Sequence, residues 1–270
     1  MKIIDRTRNG VTFLSADGFE AAGGVAHGFS TRLGGVSEGI YATLNLGMNR
    51  GDAPDRVREN YRRFCAAIGA DMGNIVCASQ VHGDTVRTVT AADLGIGLDE
   101  PEPWQADGLV TDIPGVTLAV YSADCLPILL YDPVRRVVGA VHAGWRGTAL
   151  GIVERAVEKL RDCYGCDPAD IRAAIGPGIS KCCFETHEDV PNAMTEAMGS
   201  AALPYIEVLP TGKFHVDLKG LNALRLERAG LLAGHVDVSP DCTMCLPEKY
   251  WSHRQTQGRR GSQAALIALE

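Results

Sequence analysis

Three apolar runs of strand length lie close together in this chain: Val116–Ser122, Pro127–Tyr131 and Val137–His142. They are continuous rather than alternating, so none offers a polar face to water, and each suits a strand covered on both sides. Helices or a second sheet must therefore pack on both faces of whatever sheet these strands form. With 46% apolar and 22% charged residues the chain has enough apolar material for such a core, and disorder is not expected.

The rest of the chain supplies the cover. Asp55–Gly69 reads as a helix with Val57, Tyr61, Phe64 and Ile68 on one face and Gly69 as its stop. A second helix is expected from about Thr148 to Tyr164, with Leu150, Val153, Val157 and Leu160 at helical spacing. Thr186 with Asp189 resembles a capping box opening a helix through Met198, and Asp217 caps another that ends at Gly230. Ile75–Ser79 and Thr85–Thr90 read as strands around the turn Val81-His82-Gly83-Asp84. Ile171–Ile175 reads as a further buried strand ending in Gly176-Pro177-Gly178, and Gly95–Gln105 as an exposed loop. Strands alternating with helices indicate the α/β class, as an α+β layered sandwich with a mixed buried sheet flanked by helices. No repeat or linker interrupts residues 1–270, so one continuous domain is expected.

Charge and cysteine content narrow the function. A net charge of −7 argues against a nucleic-acid backbone binder, while leaving room for a local basic pocket that takes a small anion. The opening MKIIDRTRNG lacks the apolar run of a secretory signal, and no stretch is long enough to span a bilayer, so no membrane association is expected. The nine cysteines are then expected as reduced thiols in a cytoplasmic protein.

Three segments put a metal-capable side chain at the end of a strand beside turn-forming residues: Gln80-Val81-His82-Gly83, Ala123-Asp124-Cys125-Leu126-Pro127 and Val141-His142-Ala143-Gly144-Trp145-Arg146-Gly147. Ligand and catalytic groups gather at strand ends in layered folds. Two imidazoles and one thiolate make a catalytic zinc set with a fourth position free for water or substrate. Spacing alone does not separate that reading from two strand-end histidines and a buried cysteine.

The motifs around these residues resemble a known family. QVHG at His82, ADGLVT (Ala106–Thr111), ADCLP (Ala123–Pro127), HAGWRG (His142–Gly147) and GPGI (Gly176–Ile179) look like the multicopper polyphenol oxidoreductase family, also called laccase-domain or YfiH/YlmD-like. FSTRLGG (Phe29–Gly35), LNLG (Leu44–Gly47), HVDL (His215–Leu218), Cys242-Thr243 and WSHR (Trp251–Arg254) extend the match over nearly the whole chain. The resemblance implies a YfiH-like layered fold of the kind compared with cysteine deamidases. It also implies zinc held by His82, Cys125 and His142, and action on purine nucleosides. The implied reactions are deamination of adenosine and cleavage of adenosine, inosine, guanosine and methylthioadenosine by inorganic phosphate.

Those reactions assign roles to neighbouring residues. Asp124, beside the cysteine, is expected either to shuttle protons or to orient a ligand. Arg32 and Arg146 are the expected phosphate holders, since the guanidinium fork matches phosphate geometry. Asn45 and Gln80 are placed to hydrogen-bond ribose or base, and Trp145 to stack on the base. Gly176-Pro177-Gly178 reads most simply as a turn, with help in holding an anion through its backbone N–H groups as the alternative.

Other signals weigh less. Cys163/Cys166 and Cys242/Cys245 are CxxC pairs that together would supply four thiolates, but they lie far apart in sequence and are not expected to meet. Cys182-Cys183 reads as ordinary packing, because a bridge between neighbours is strained. His27, His187 and His235 read as surface or cap residues. With seven scattered histidines and no His-x-His pair, the chain lacks the ligands for a multicopper cluster. A single copper in the His82/Cys125/His142 set, oxidising phenols weakly, is the remaining redox alternative. A metal-free cysteine hydrolase with a Cys125/His142 dyad and a non-enzymatic partner protein are the others. A monomer or small homo-oligomer is expected.

Overall fold

In a computed structural model, which describes residues 2–98 and 103–270, the chain opens with β1 (Ile3–Arg8), β2 (Val11–Ala16), helix α1 (Asp17–Ala22) and β3 (Val25–Ser30). Helix α2 (Pro54–Ile68) leads to the short strands β4 (Ile75–Val76), β5 (Val86–Thr88) and β6 (Gly108–Thr111). The three apolar runs become β7 (Thr117–Ser122), β8 (Leu126–Asp132) and β9 (Val137–Ala143), followed by α3 (Trp145–Leu150), α4 (Ile152–Tyr164) and β10 (Arg172–Ile175). Then come β11 (Glu185–Thr186), α5 (Asp189–Met198), β12 (Ile206–Val208), β13 (Phe214–Val216), α6 (Leu218–Arg228), β14 (Val236–Val238), α7 (His253–Thr256) and β15 (Gln263–Leu269).

Two six-stranded mixed sheets carry the fold, in the orders β1-β2-β3-β15-β7-β4 and β14-β10-β8-β9-β6-β5, with a small three-stranded sheet β11-β13-β12 beside them. The apolar runs divide between the two sheets: β7 lies in the first, while β8 and β9 form a seven-residue antiparallel pair at the centre of the second. Every residue of β8 and β9 is buried, as continuous apolarity requires. Side chains from both sheets share one core cluster, in which Leu118, Val120 and Ile267 of the first meet Leu129, Val138 and Ala140 of the second. Helices α4 and α6 cover the far face of the second sheet, and α2 covers that of the first.

Several local expectations change. The helix expected over 148–164 is two helices, broken at Gly151 in the left-handed region (φ +85°), where the chain turns at the C-terminus of α3. The capping box at Thr186 does not form: Thr186 belongs to β11, and α5 starts at Asp189 with no side-chain cap. Asp217 does cap α6, accepting from the Gly220 N–H at 3.1 Å. Part of the expected loop, residues 99–102, lies outside the described residues. The turn at Gly176-Pro177-Gly178 is a packing device rather than an anion nest, since the N–H groups of Gly176 and Ile179 already bond Pro127 O and Asp124 O at 2.8 Å.

His27 is also reassigned, being buried in β3 rather than at the surface. Its Nε2 accepts the Ala16 N–H at 2.8 Å and its ring meets Phe19 edge-on. Burial pushes its pKa down to about 4, against the smaller upward pull of Glu20. The unfolded chain therefore binds a proton that the folded chain refuses between about pH 6.5 and 4, and stability falls as pH drops through that window. We expect about 2 kcal/mol of this loss between pH 7 and 5 in urea titrations, a loss that His27→Gln abolishes. An equal acid slope in that variant would assign the loss to other groups.

Candidate active site and metal centre

The loop leaving β7, the C-terminal end of β9 and the turn before β5 converge at one edge of the two sheets. They bring the ligand atoms of His82, Cys125 and His142 within 4.8 Å of one another. Cys125 Sγ stands 3.8 Å from His82 Nε2, close to the roughly 3.5 Å edge of a tetrahedron built on zinc–sulfur and zinc–nitrogen bond lengths. The two imidazoles face each other edge-on with centroids 4.9 Å apart. His142 is buried, Cys125 half-buried and His82 exposed, so the trio opens to solvent on the His82 side.

The backbone is bent to achieve this. His82 (φ +63°) and Asp124 (φ +88°) both occupy the left-handed region that non-glycine residues avoid. Gly144 is required by close approach: a Cβ there would lie 2.8 Å from the His82 ring and 3.3 Å from Cys125 Sγ.

Asp107, inside the ADGLVT motif but not singled out in the sequence, holds the histidines in place. One of its oxygens bonds His142 Nδ1 at 2.8 Å and the His82 N–H at 3.0 Å, and the other accepts the N–H groups of Val81 and Gly83. The carboxylate thus fixes the tautomer of His142, leaving Nε2 for the site, and clamps the turn that carries His82. The sequence signal was present, an acidic residue opening a buried strand, but its two histidine partners are visible only in three dimensions.

Electrostatics favour a thiolate. Burial pushes the Cys125 thiol up, but His142 and then His82 more than offset this and bring it below the ordinary thiol range. Burial lowers His142 in turn, while Cys125 and Asp107 outweigh it and hold the imidazole above its usual value.

A cleft of about 400 Å³ opens over this trio. Gln80, Ser122, Arg50, Arg260 and Ser262 are part of its wall. The Arg260 guanidinium is lowered to about 10, first by burial and then by the positive charge of Arg50, with Asp124 and Cys125 opposing. Its Nε is buried and finds no hydrogen-bond partner among the described residues, and neither does the hydroxyl of Ser122. Two guanidinium groups crowded in one wall concentrate positive charge that an anion relieves.

The expected anion and substrate residues are distributed differently. Arg32 is spent inside the fold: its guanidinium donates to Ala42 O and Pro247 O and lies 3.9 Å from the Trp251 ring centroid. Asn45 is fully buried, and its side chain joins Gly47 N, Ser262 N and Asp52, so it shapes the cleft wall from behind. Asp124 accepts from Thr243 Oγ1 at 2.7 Å through one oxygen and from the Arg254 N–H at 2.6 Å through the other, so its carboxylate is tied to the Thr243 and Arg254 loops beside Cys125. Arg146 is exposed and stacks on Trp145, and neither is part of the cleft wall. Gln80 does line the cleft, although its amide is bonded to both the N–H and the carbonyl of Tyr121. The arginines of the cleft, Arg50 and Arg260, were missed because each lies far in sequence from the histidines and cysteine.

The sequence pattern of the family described as multi-copper polyphenol oxidoreductase laccase matches residues 26–270. The chain belongs to this family. Among curated relatives in this laccase-type family, it is 39% identical over 249 residues to purine nucleoside phosphorylase YlmD of Geobacillus stearothermophilus, covering 91% of this chain and 90% of that protein. It is 41% identical over 245 residues to a purine nucleoside phosphorylase of Deinococcus radiodurans, covering 91% and 89%. The crystal structure of the Geobacillus YlmD superposes with a TM-score of 0.92 at 34% identity, covering 99% of each chain. The mixed α/β fold expected from the sequence is thus the fold of the family. Among the described residues no helix is long and apolar enough to cross a membrane.

Proposed function

We propose that the chain is a zinc-dependent purine nucleoside phosphorylase that also deaminates adenosine, acting on adenosine, inosine, guanosine and methylthioadenosine. The observation that carries this reading is a three-ligand nitrogen and sulfur set at the floor of a cleft whose wall holds Arg50 and Arg260. The names borne by the relatives supply the substrate class. We take residues 1–270 as one catalytic domain acting in the cytoplasm, with the shared core of the two sheets in its support.

Two imidazoles and a thiolate, one imidazole backed by a buried carboxylate, fit zinc. When bound, zinc supplies a Lewis acid that polarises the group it faces on the purine, or the attacking water in deamination. In phosphorolysis a phosphate oxygen forms the new bond to C1′ while the C1′–N9 bond breaks and its electron pair leaves with the base. Arg260 and Arg50 hold the phosphate dianion against the ribose, and the Ser122 hydroxyl donates to phosphate or ribose oxygen. Asp107 keeps His142 from rotating, and the Asp124 turn keeps the Cys125 sulfur aimed at the site.

One observation favours a second reading. Cys125, His142 and Asp107 also form a nucleophile, base and orienter in series, the arrangement of a cysteine hydrolase. Such a triad has no use for His82, whereas a metal does, and this favours zinc. Incubation with inosine, adenosine and methylthioadenosine, with and without phosphate, tests both. We expect hypoxanthine and ribose 1-phosphate from inosine only when phosphate is present, and inosine from adenosine in either condition. Base release without phosphate, or turnover that survives chelation but not iodoacetamide, overturns the phosphorylase reading.

A further inference from the structure

A second sulfur cluster lies outside the cleft. The Sγ atoms of Cys182, Cys183, Cys242 and Cys245 all fall within 4.8 Å of one another. The two vicinal cysteines follow β10, and the CxxC pair follows β14, so the cluster ties together two loops that the sheet alone leaves independent. This corrects one expectation, that Cys182-Cys183 are ordinary packing residues. The two CxxC pairs stay apart as expected, and the pair at 242–245 meets Cys182 and Cys183 instead.

The three edges among Cys182, Cys183 and Cys245 are close to those of a tetrahedron, and Cys242 lies within 4.8 Å of each. Cys182 to Cys183 is 3.7 Å, Cys182 to Cys245 is 3.6 Å and Cys183 to Cys245 is 3.3 Å. Four thiolates at the zinc–sulfur bond length stand about 3.8 Å apart along each edge. An iron–sulfur cluster places several metal ions between its cysteines and needs them farther apart. We propose that Cys182, Cys183, Cys242 and Cys245 bind a second zinc ion, as a closed four-thiolate structural site distinct from the cleft.

The backbone supports the same site. The Ser180 N–H points at Cys242 Sγ at 3.4 Å, and the N–H groups of Cys245 and Met244 also bond it. N–H groups converging on the first sulfur of a CxxC turn stabilise a thiolate there, and against the upward push of burial they bring Cys242 below the ordinary thiol range. Cys182 and Cys183 are instead raised, by burial and then by Cys245. Lys219 stands beside it, its Nζ donating to Ser239 O at 2.9 Å and Asp241 O at 2.6 Å, and its charge offsets that of four thiolates around one zinc.

The clip reaches the first site through one residue. Thr243, between the CxxC cysteines, bonds the Gly178 carbonyl through its N–H and Asp124 through its hydroxyl, and Asp124 precedes Cys125. Metal in the thiolate site therefore steadies the turn that aims the cleft sulfur.

Metal analysis of the full chain carrying His82→Ala and Cys125→Ala, which lacks the cleft ligands, separates this proposal from the reading of the cleft. We expect one zinc per chain to remain, to be lost when Cys182→Ser and Cys245→Ser are added, and to be released from the folded parent by a mercurial thiol reagent. Replacement of that zinc by cobalt is expected to give intense sulfur-to-cobalt charge-transfer absorption. A metal-free His82→Ala/Cys125→Ala protein overturns the site, whether its four thiols react freely with a disulfide reagent or two are joined in a disulfide. If the four-site variant does not fold, the mercurial release and the cobalt spectrum decide.

Discussion

Cys125→Ala or His142→Ala is expected to abolish metal binding in the cleft and to lower phosphorolysis of inosine by at least about a thousandfold. The size follows from the several kcal/mol of charge stabilisation a metal Lewis acid contributes, at about 1.4 kcal/mol per tenfold in rate. The two substitutions act by different routes. Cys125→Ala removes the charged ligand, whereas His142→Ala also strands the buried Asp107 carboxylate without its imidazole. Asp107→Asn separates ligation from orientation, since it keeps the shape and loses the charge that holds Nδ1. A 10- to 100-fold loss of metal affinity is expected there, in line with other residues that orient metal ligands. Metal content by atomic emission, measured with initial rates on the same samples, checks all three. Full activity in zinc-free Cys125→Ala protein would overturn the assignment of the cleft.

Arg260→Gln is expected to raise the KM for phosphate and lower kcat/KM for phosphate by about 10- to 100-fold, with a much smaller change in the KM for inosine. A hydrogen bond to a charged group contributes about 1.5–3 kcal/mol, which corresponds to that range. Arg260 is 9% exposed and its Nη1 is held by the Gly261 carbonyl and the Ser262 hydroxyl, which fixes its charge in the cleft wall. Arg50, more exposed on the same wall, is expected to show the same direction with a smaller effect after Arg50→Gln. Arg32→Gln serves as the contrast. Its guanidinium holds Ala42 and Pro247, so its loss is expected to lower the thermal midpoint without a selective effect on phosphate. A selective phosphate defect in Arg32→Gln with none in Arg260→Gln would reverse the two roles.

The contrast between these arginines shows where sequence reading stopped. Arg32 stands in FSTRLGG, a glycine-rich turn of the kind that holds phosphate, and its side chain nevertheless turns inward onto Trp251 and two carbonyls. Arg260 sits just before the last strand, in a stretch with no neighbouring ligand to mark it. It reaches the cleft because β15 lies between β3 and β7, against strands more than a hundred residues away in sequence. The cysteines behave likewise. Cys182-Cys183 read as ordinary packing and nothing in the sequence joined them to the CxxC at 242–245; proximity was decided by which strands their loops leave. β10 and β14 are parallel neighbours, so the loops after them emerge at the same edge and bring 182–183 to 242–245.

Properties governed by near neighbours in the chain were legible in the sequence. Unbroken apolarity marked β7, β8 and β9 as doubly covered strands, Gly69 ended α2, and Asp217 capped α6. The three motifs bearing His82, Cys125 and His142 were found there as well, because each combines a ligand-type side chain with the small or turn residues it needs within a few positions. Tertiary structure alone decided which carboxylate orients the histidines, which arginines face the cleft, and that four cysteines from two loops come within reach of one another. The physical reason is the same in each case. Conformational preference and hydrophobic period act over a few residues, whereas charge pairing and metal ligation depend on distance in space, which only the completed strand order sets.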